Sequence, residues 1–133
     1  MKSTIQMGHL GERIALNYFL DKKYVLMERN WRHFKKEIDI ILRYEQHIVF
    51  VEVKLRSTFF SSLNHILSVD QEKRLLEAMD CYIKEKKIDL EPRFDLIFVS
   101  NFKGKQKINH FPSLIQPRIC LLYTSPSPRD RLK

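Results

Sequence analysis

The clearest pattern in the chain runs from Glu37 to Arg56, E-I-D-I-I-L-R-Y-E-Q-H-I-V-F-V-E-V-K-L-R, where two apolar runs flank a short polar interruption. Ile38, Ile40, Ile41 and Leu42 fill the first run; Ile48, Val49, Phe50, Val51 and Val53 fill the second. This β-branched enrichment predicts two strands buried on both faces and joined as a hairpin. Upstream, Leu10, Ile14, Ala15, Tyr18 and Phe19 recur at helical spacing and predict a helix over 6–22, followed by a strand over 24–31, Y-V-L-M-E-R-N-W. Downstream, Leu75, Leu76, Met79, Tyr82 and Ile83 form the apolar stripe of a second helix, capped by Ser68 or Asp70 and reaching about Lys87. Pro92 is expected to stop that helix. A strand over 93–100, a basic turn at Lys103-Gly104-Lys105 and an edge strand over 106–111 complete the pattern. Between the hairpin and the second helix, residues 57–68 have no clean period. They predict a loop in which Phe59 and Phe60 serve either as a hydrophobic lip or as core.

Helix, strand, hairpin, helix, strand is the order of an α/β domain, a mixed central sheet with helices on its faces. One such domain accounts for residues 1–119. The end reads differently: C-L-L-Y-T-S-P-S-P-R-D over 120–130 looks like the translation of a sequencing adaptor, so 120–133 is expected to be a non-native tail whose Ser-Pro-Ser-Pro run is extended or disordered.

Charge narrows the partners. Lys plus Arg number 24 against 16 Asp plus Glu, a formal +8, which favours a polyanion. Setting aside 120–133 removes Arg129, Arg131, Lys133 and Asp130, which leaves 21 basic and 15 acidic residues and a formal +6. The basic character survives. With Cys81 and Cys120 alone there is no disulfide framework, and no Cys/His spacing suggests zinc. No apolar run reaches the length of a membrane span and no signal-peptide core opens the chain, so a cytoplasmic location without membrane partners is expected.

The chemistry lies in charges written into the apolar hairpin. With Glu45-Gln46 as a two-residue loop, or Tyr44 to His47 as a four-residue loop, paired residues sum to 91. Asp39 then faces Glu52 and Glu37 faces Lys54, all on one face. Directly opposed carboxylates repel, and in an apolar sheet they need a cation or a shared proton. Mg²⁺ suits them, since it takes one or two carboxylates and keeps waters that phosphate oxygens can replace. Lys54 cannot ligate a cation while protonated, but it can orient a water or stabilise a developing phosphate charge. The bland alternative is a buried salt-bridge cluster of Glu37 with Lys54 and one protonated acid. Glu12 falls on or beside the buried stripe of the first helix, where its carboxylate either points at the sheet centre or pairs with Arg13 or a lysine. Gly8 and Gly11 nearby either allow close backbone approach or loosen the helix start. Arg29, Asn30, Trp31, Arg32 and His33 form a basic aromatic corner able to hold a phosphate or stack a base, unless Trp31 is core and the arginines are solvated. Lys73 and Arg74 stand where a bound phosphate would be in reach, and Asp95 reads as a structural aspartate pairing with Arg93 or a lysine.

R-N-W-R (29 to 32), E-I-D-I-I (37 to 41) and F-V-E-V-K-L-R (50 to 56), preceded by G-x-x-G-E (8 to 12), resemble the YraN family of small bacterial proteins. That family is similar to the restriction-endonuclease-like nucleases with the PD-(D/E)xK signature and, in outline, to archaeal Holliday-junction resolvases. The resemblance covers roughly residues 6–100. It implies a restriction-endonuclease-like fold in which Glu12, Asp39, Glu52 and Lys54 match the acidic and lysine positions of a nuclease centre, and it suggests an accessory polar role for Gln71. Two features depart from the family: Lys36 precedes Glu37 where glycine is usual, and 57–67 lacks the glycine common after the lysine motif. Neither removes a catalytic group.

The leading expectation is therefore a metal-dependent endonuclease acting on branched or otherwise non-duplex DNA. Asp39, Glu52 and Glu12 would hold Mg²⁺ or Mn²⁺, Lys54 would orient the attacking hydroxide, and Glu37 would stand by as an alternate ligand. Arg29, Trp31, Arg32, Arg56 and Lys73 would contact nucleic acid. A homodimer would suit a four-way junction. The alternative is a basic nucleic-acid-binding protein without turnover; a third is an assembly subunit whose charges only lock the sheet.

Overall fold

A computed structural model of the chain describes residues 4–56 and 68–113. Its elements are α1 (Thr4–Asp21), β1 (Val25–His33), β2 (Lys36–Tyr44), β3 (His47–Arg56), α2 (Val69–Lys86), β4 (Glu91–Phe102) and β5 (Lys105–Phe111). The expected loop with Phe59 and Phe60, apart from Ser68, and the 120–133 tail lie outside the described residues.

The hairpin of β2 and β3 has the register expected of its sequence. Tyr44 pairs with His47 across a Glu45-Gln46 loop, and the ladder continues to Ile40 opposite Val51, each pair summing to 91. Five strands lie in the order β1-β2-β3-β4-β5, antiparallel except for β3 and β4. That exception follows from connectivity: the chain leaves β3, passes through α2 and returns to β4 in the same direction. This mixed, helix-covered α/β sheet is consistent with a restriction-endonuclease-like fold.

Both faces of the sheet are buried, which is why its central strands read as unbroken apolar runs. Ile48, Phe50, Phe94, Leu96 and Phe98 pack with Leu75, Ala78, Met79 and Tyr82 of α2. Val49, Val51, Ile97 and Val99, pointing the other way, pack with Ala15, Leu16 and Phe19 of α1.

Alternation along β2 fails at Asp39. Ile38 and Ile41 both belong to the α2 layer, whereas Ile40 and Leu42 belong to the α1 layer. The strand therefore reverses its facing around Asp39. Its neighbour does the same: Trp31 packs in the α2 layer and Glu28, three residues earlier, accepts a hydrogen bond from Tyr82 of α2. Asn30 lies between them with φ 49, a left-handed conformation that asparagine tolerates better than most residues. This paired kink of β1 and β2 coincides with the end of the β2–β3 ladder at Ile40 and Val51. Asp39 consequently stands where the sheet begins to open.

Element ends show why sequence punctuation misleads in places. α2 ends at Lys86 because Lys87 adopts φ 54 and donates its N–H to the Ile83 carbonyl. Pro92, expected to stop the helix, instead lies inside β4 opposite Ile48. Its missing N–H is tolerated there because β5 pairs with β4 only from Leu96 onward. The other end of α2 is a full capping box: Ser68 Oγ accepts from Gln71 N–H, and the Gln71 side chain accepts from Ser68 N–H.

Candidate active site

Glu52 and Lys54 occupy alternate positions of β3, beside Leu96 and Phe98 of β4, and so face α2. Lys54 Nζ lies 3.4 Å from Glu52 Oε2, with the lysine side chain only 11% exposed. Asp39 approaches from β2, and its Oδ2 accepts a hydrogen bond from Val53 N–H at 2.9 Å. Asp39, Glu52 and Glu37 line one cavity of about 450 Å³. Its other walls are Lys35 and Lys36 from the β1–β2 turn region and Gln71, Arg74, Leu75 and Glu77 from α2.

The expected pairing of Glu37 with Lys54 is not what forms. Because β2 kinks and parts from β3 at Asp39, Glu37 turns to Arg32 across the β1–β2 ladder, 3.5 Å away, and Lys54 turns to Glu52. The carboxylates are thereby left close together with one ammonium among them. Burial, then the nearby Glu52 charge, pushes Asp39 up to about 7, with Glu12 and Glu37 adding to the rise and the Val53 N–H opposing it. Glu52 is also raised, first by burial, although Lys54 counteracts that by charge and hydrogen bonding.

Glu12 reaches this cluster from the opposite helix. α1 crosses β3 at Gly11, where an added Cβ would stand only 3.1 Å from Leu55 Cβ, so glycine allows the close approach without displacing either element. The next residue, Glu12, buries Oε1 without any hydrogen-bond partner, and its charge acts on both Asp39 and Glu52. Two acids that resist ionisation, Asp39 and Glu52, with the charge of Glu12 acting on both, are a donor set suited to a hard divalent cation. Among the described residues no three His, Cys, Asp or Glu side chains stand grouped as ready-made ligands. The fit is therefore to Mg²⁺ as it is usually bound, through one or two carboxylates with water completing its shell.

The expected nucleic-acid contacts separate. Arg29 and Arg32 are exposed on β1. Arg56 ends β3 opposite Ser100. Trp31, in contrast, is 5% exposed, packs edge-on to Tyr82 at 5.2 Å and belongs to the core, so its ring has no face free for a base. Lys73 is exposed, but the cavity wall is formed by its neighbour Arg74. Helical spacing carried that distinction: position 74 adjoins the buried stripe of Leu75 and Ala78, and position 73 does not. Lys35 lies in the β1–β2 turn, where no periodic signal marks it, and Lys36 at the start of β2 stood out only for replacing the family's usual glycine. Asp95 is the structural aspartate its sequence suggested. Fully buried, it accepts both Nε and Nη2 of Arg93 at 2.9 Å, lies 2.6 Å from His110 Nε2, and takes Ser113 N–H at 3.0 Å.

Comparison with known proteins agrees with the motif likeness. Residues 11–99, which include Glu12, Asp39, Glu52 and Lys54, match the model of uncharacterised protein family UPF0102. A UPF0102 protein of Bacteroides thetaiotaomicron is 35% identical over 113 residues, 84% of this chain and 93% of its own. Another, from Flavobacterium psychrophilum, is 37% identical over 106 residues, covering 79% of this chain and 89% of its own. With relatives this similar across most of their length, the chain belongs to the uncharacterised protein family UPF0102, the YraN family.

Proposed function

We propose that the protein is a divalent-cation-dependent nuclease acting on DNA phosphodiester bonds, with branched or otherwise non-duplex DNA as its substrate. The observation that carries this reading is the convergence of Asp39 and Glu52 on one cavity, with Lys54 Nζ 3.4 Å from Glu52 and the charge of Glu12 acting on both acids. Asp39 and Glu52 would hold Mg²⁺ or Mn²⁺, and Glu12 would complete the shell directly or through water. Bound there, the cation would polarise the scissile phosphate and lower the pKa of a water. Lys54, restrained by Glu52, orients the attacking hydroxide and offsets charge building on the phosphate. The hydroxide left when the water gives up a proton would add to phosphorus, the bond to one sugar oxygen would break, and that oxygen would take up a proton from solvent, restoring the balance. Val53 N–H keeps the Asp39 carboxylate aimed while Glu37, held by Arg32, stands by as an alternate ligand.

A cleavage screen with Mg²⁺ or Mn²⁺ over branched, flapped, single-stranded, duplex and RNA substrates tests the reading. The expected result is cleavage by the unmutated protein, lost in Asp39→Asn and Lys54→Ala although both variants remain folded. A second reading, a basic nucleic-acid-binding protein without turnover, draws on the cationic rim of Lys35, Lys36 and Arg74 around the same cavity. Binding without cleavage of any substrate in the panel would favour it.

A further inference from the structure

We propose that Phe34 is a base-stacking wedge at the rim of the acidic cavity, which makes the substrate a nucleic acid with an unpaired or splayed segment. This inference rests on the nucleic-acid reading of the site given above. Phe34 is 89% exposed, the highest value among the exposed large hydrophobic residues described. It occupies the first position of the two-residue turn between His33 and Lys36, with φ 59, a conformation that glycine or asparagine adopts more cheaply. Neither the exposure nor the backbone conformation helps the fold. The φ is shared with Glu45 at the same position of the β2–β3 turn; what sets Phe34 apart is a large aromatic ring left almost wholly in solvent, a cost that persists where function requires the side chain.

The surroundings say what the ring contacts. His33 meets Phe34 edge-on at 4.6 Å and stacks on Trp31 at 5.9 Å with 5° between planes. Trp31 is packed in turn against Tyr82. His33 Nδ1 also lies 3.6 Å from Glu85 Oε1 of α2. An aromatic column thus runs from the core to the hairpin tip and supports Phe34 from behind. The next two residues, Lys35 and Lys36, line the cavity that holds Asp39 and Glu52. Because Phe34 directly precedes the cavity's lysines, a strand with a phosphate held there can bring a neighbouring base to the Phe34 ring, provided that base is not already stacked in a duplex. Intact duplex offers no free base face there, so the geometry selects single-stranded or branched structure.

The test is binding of labelled single-stranded, forked and blunt duplex DNA by the full chain in EDTA, where no cleavage occurs. Phe34→Ala and Phe34→Gly are expected to weaken single-stranded and forked binding by roughly ten-fold or more, and to leave duplex binding and its salt dependence unchanged. Phe34→Trp is expected to retain the preference. Phe34→Gly is also expected to melt at or above the unmutated temperature, since glycine suits φ 59, which separates lost contact from lost fold. Equal affinity of all variants for all three DNAs would overturn the proposal. So would self-association abolished by Phe34→Gly with no change in DNA binding, because Phe34 would then be a protein contact. Loss of the preference on removing Phe34, in a protein that never cleaves, would sustain the wedge and sink only the nuclease reading.

Discussion

The Asp39 carboxylate accepts the backbone N–H of Val53 at 2.9 Å, so a side chain of β2 reaches a main-chain donor of β3 just past the last paired residues of the two strands. This bond favours the ionised carboxylate, yet burial and Glu52 outweigh it and leave the group at about 7. Between its ordinary value near 3.8 and about 7, the folded chain holds a proton at Asp39 that the unfolded chain has released. Stability should therefore fall as pH rises through that window. The penalty at pH 8 is on the order of 4–5 kcal/mol, taking each pKa unit as about 1.4 kcal/mol. Asp39→Asn keeps an acceptor for Val53 and removes the charge. In EDTA at pH 8 it should melt several degrees above the unmutated protein, the gap should narrow as pH falls, and the two should converge only at or below the ordinary Asp39 value near 3.8. A steep drop in melting temperature at pH 8 would instead mark the acids as a sheet-locking network.

Protons and a divalent cation should compete for the same oxygens. Mg²⁺ affinity, followed by calorimetry or by Mn²⁺ paramagnetic resonance, is expected to rise with pH toward about 7, where Asp39 releases its proton. Saturating Mg²⁺ should raise the melting temperature at pH 8 and barely change it at pH 5.5. Glu12→Gln keeps a polar group at the buried oxygen and removes its charge, so affinity should fall by roughly ten-fold if Glu12 belongs to the shell. Affinity indifferent to pH and to Glu12→Gln would place the cation elsewhere.

The hairpin register was legible because a two-residue slip-free loop and continuous apolar runs leave few alternatives, and both buried faces show in the lack of polar alternation. The convergence of Asp39 with Glu52 was legible for the same reason. What the sequence hid was the kink: alternation places Glu37 opposite Lys54, and only the paired reversal at Asn30 and Asp39 sends Glu37 to Arg32. Such a reversal arises from two strands twisting together, which no single-strand period records. Trp31 likewise sat between arginines in sequence while its ring turned into the α2 layer. The Asp95 network was half visible, since Arg93 lies two residues away, whereas His110 and Ser113 arrive only through the β4–β5 hairpin.

Asp95 should shape the acid limb of stability. Burial alone would raise it, but hydrogen bonds from His110, Arg93 and Ser113 hold it below its ordinary value. The stability it contributes is therefore present above its unfolded pKa near 3.9 and is lost as pH falls through its lower folded value. Asp95→Ala strands Arg93, whose side chain is 11% exposed, and should cost about 3–5 kcal/mol at pH 7 by urea unfolding. Asp95→Asn should also destabilise at pH 7, and its stability should lose less than the unmutated protein's between pH 5 and pH 3. Equal acid sensitivity of the two proteins would show that other carboxylates govern that limb.

Gly11 tests whether helix placement, as distinct from the acids themselves, sets the site. In an ordinary helix, glycine to alanine gains about 1 kcal/mol. Here the new methyl would meet Leu55 Cβ at 3.1 Å, an atom fixed to β3 rather than the free end of a side chain. The contact has to open by a few tenths of an ångström, and α1 is the partner able to move. Because Glu12 is the next residue, that movement should draw Oε1 away from Asp39 and Glu52. Gly11→Ala is expected to change the melting temperature little, the propensity gain offsetting the contact, while Mg²⁺ affinity falls several-fold. Gly11→Val should lower both. Unaltered metal affinity in Gly11→Ala together with a higher melting temperature would show that α1 has slack against the sheet and that Glu12 does not depend on this approach.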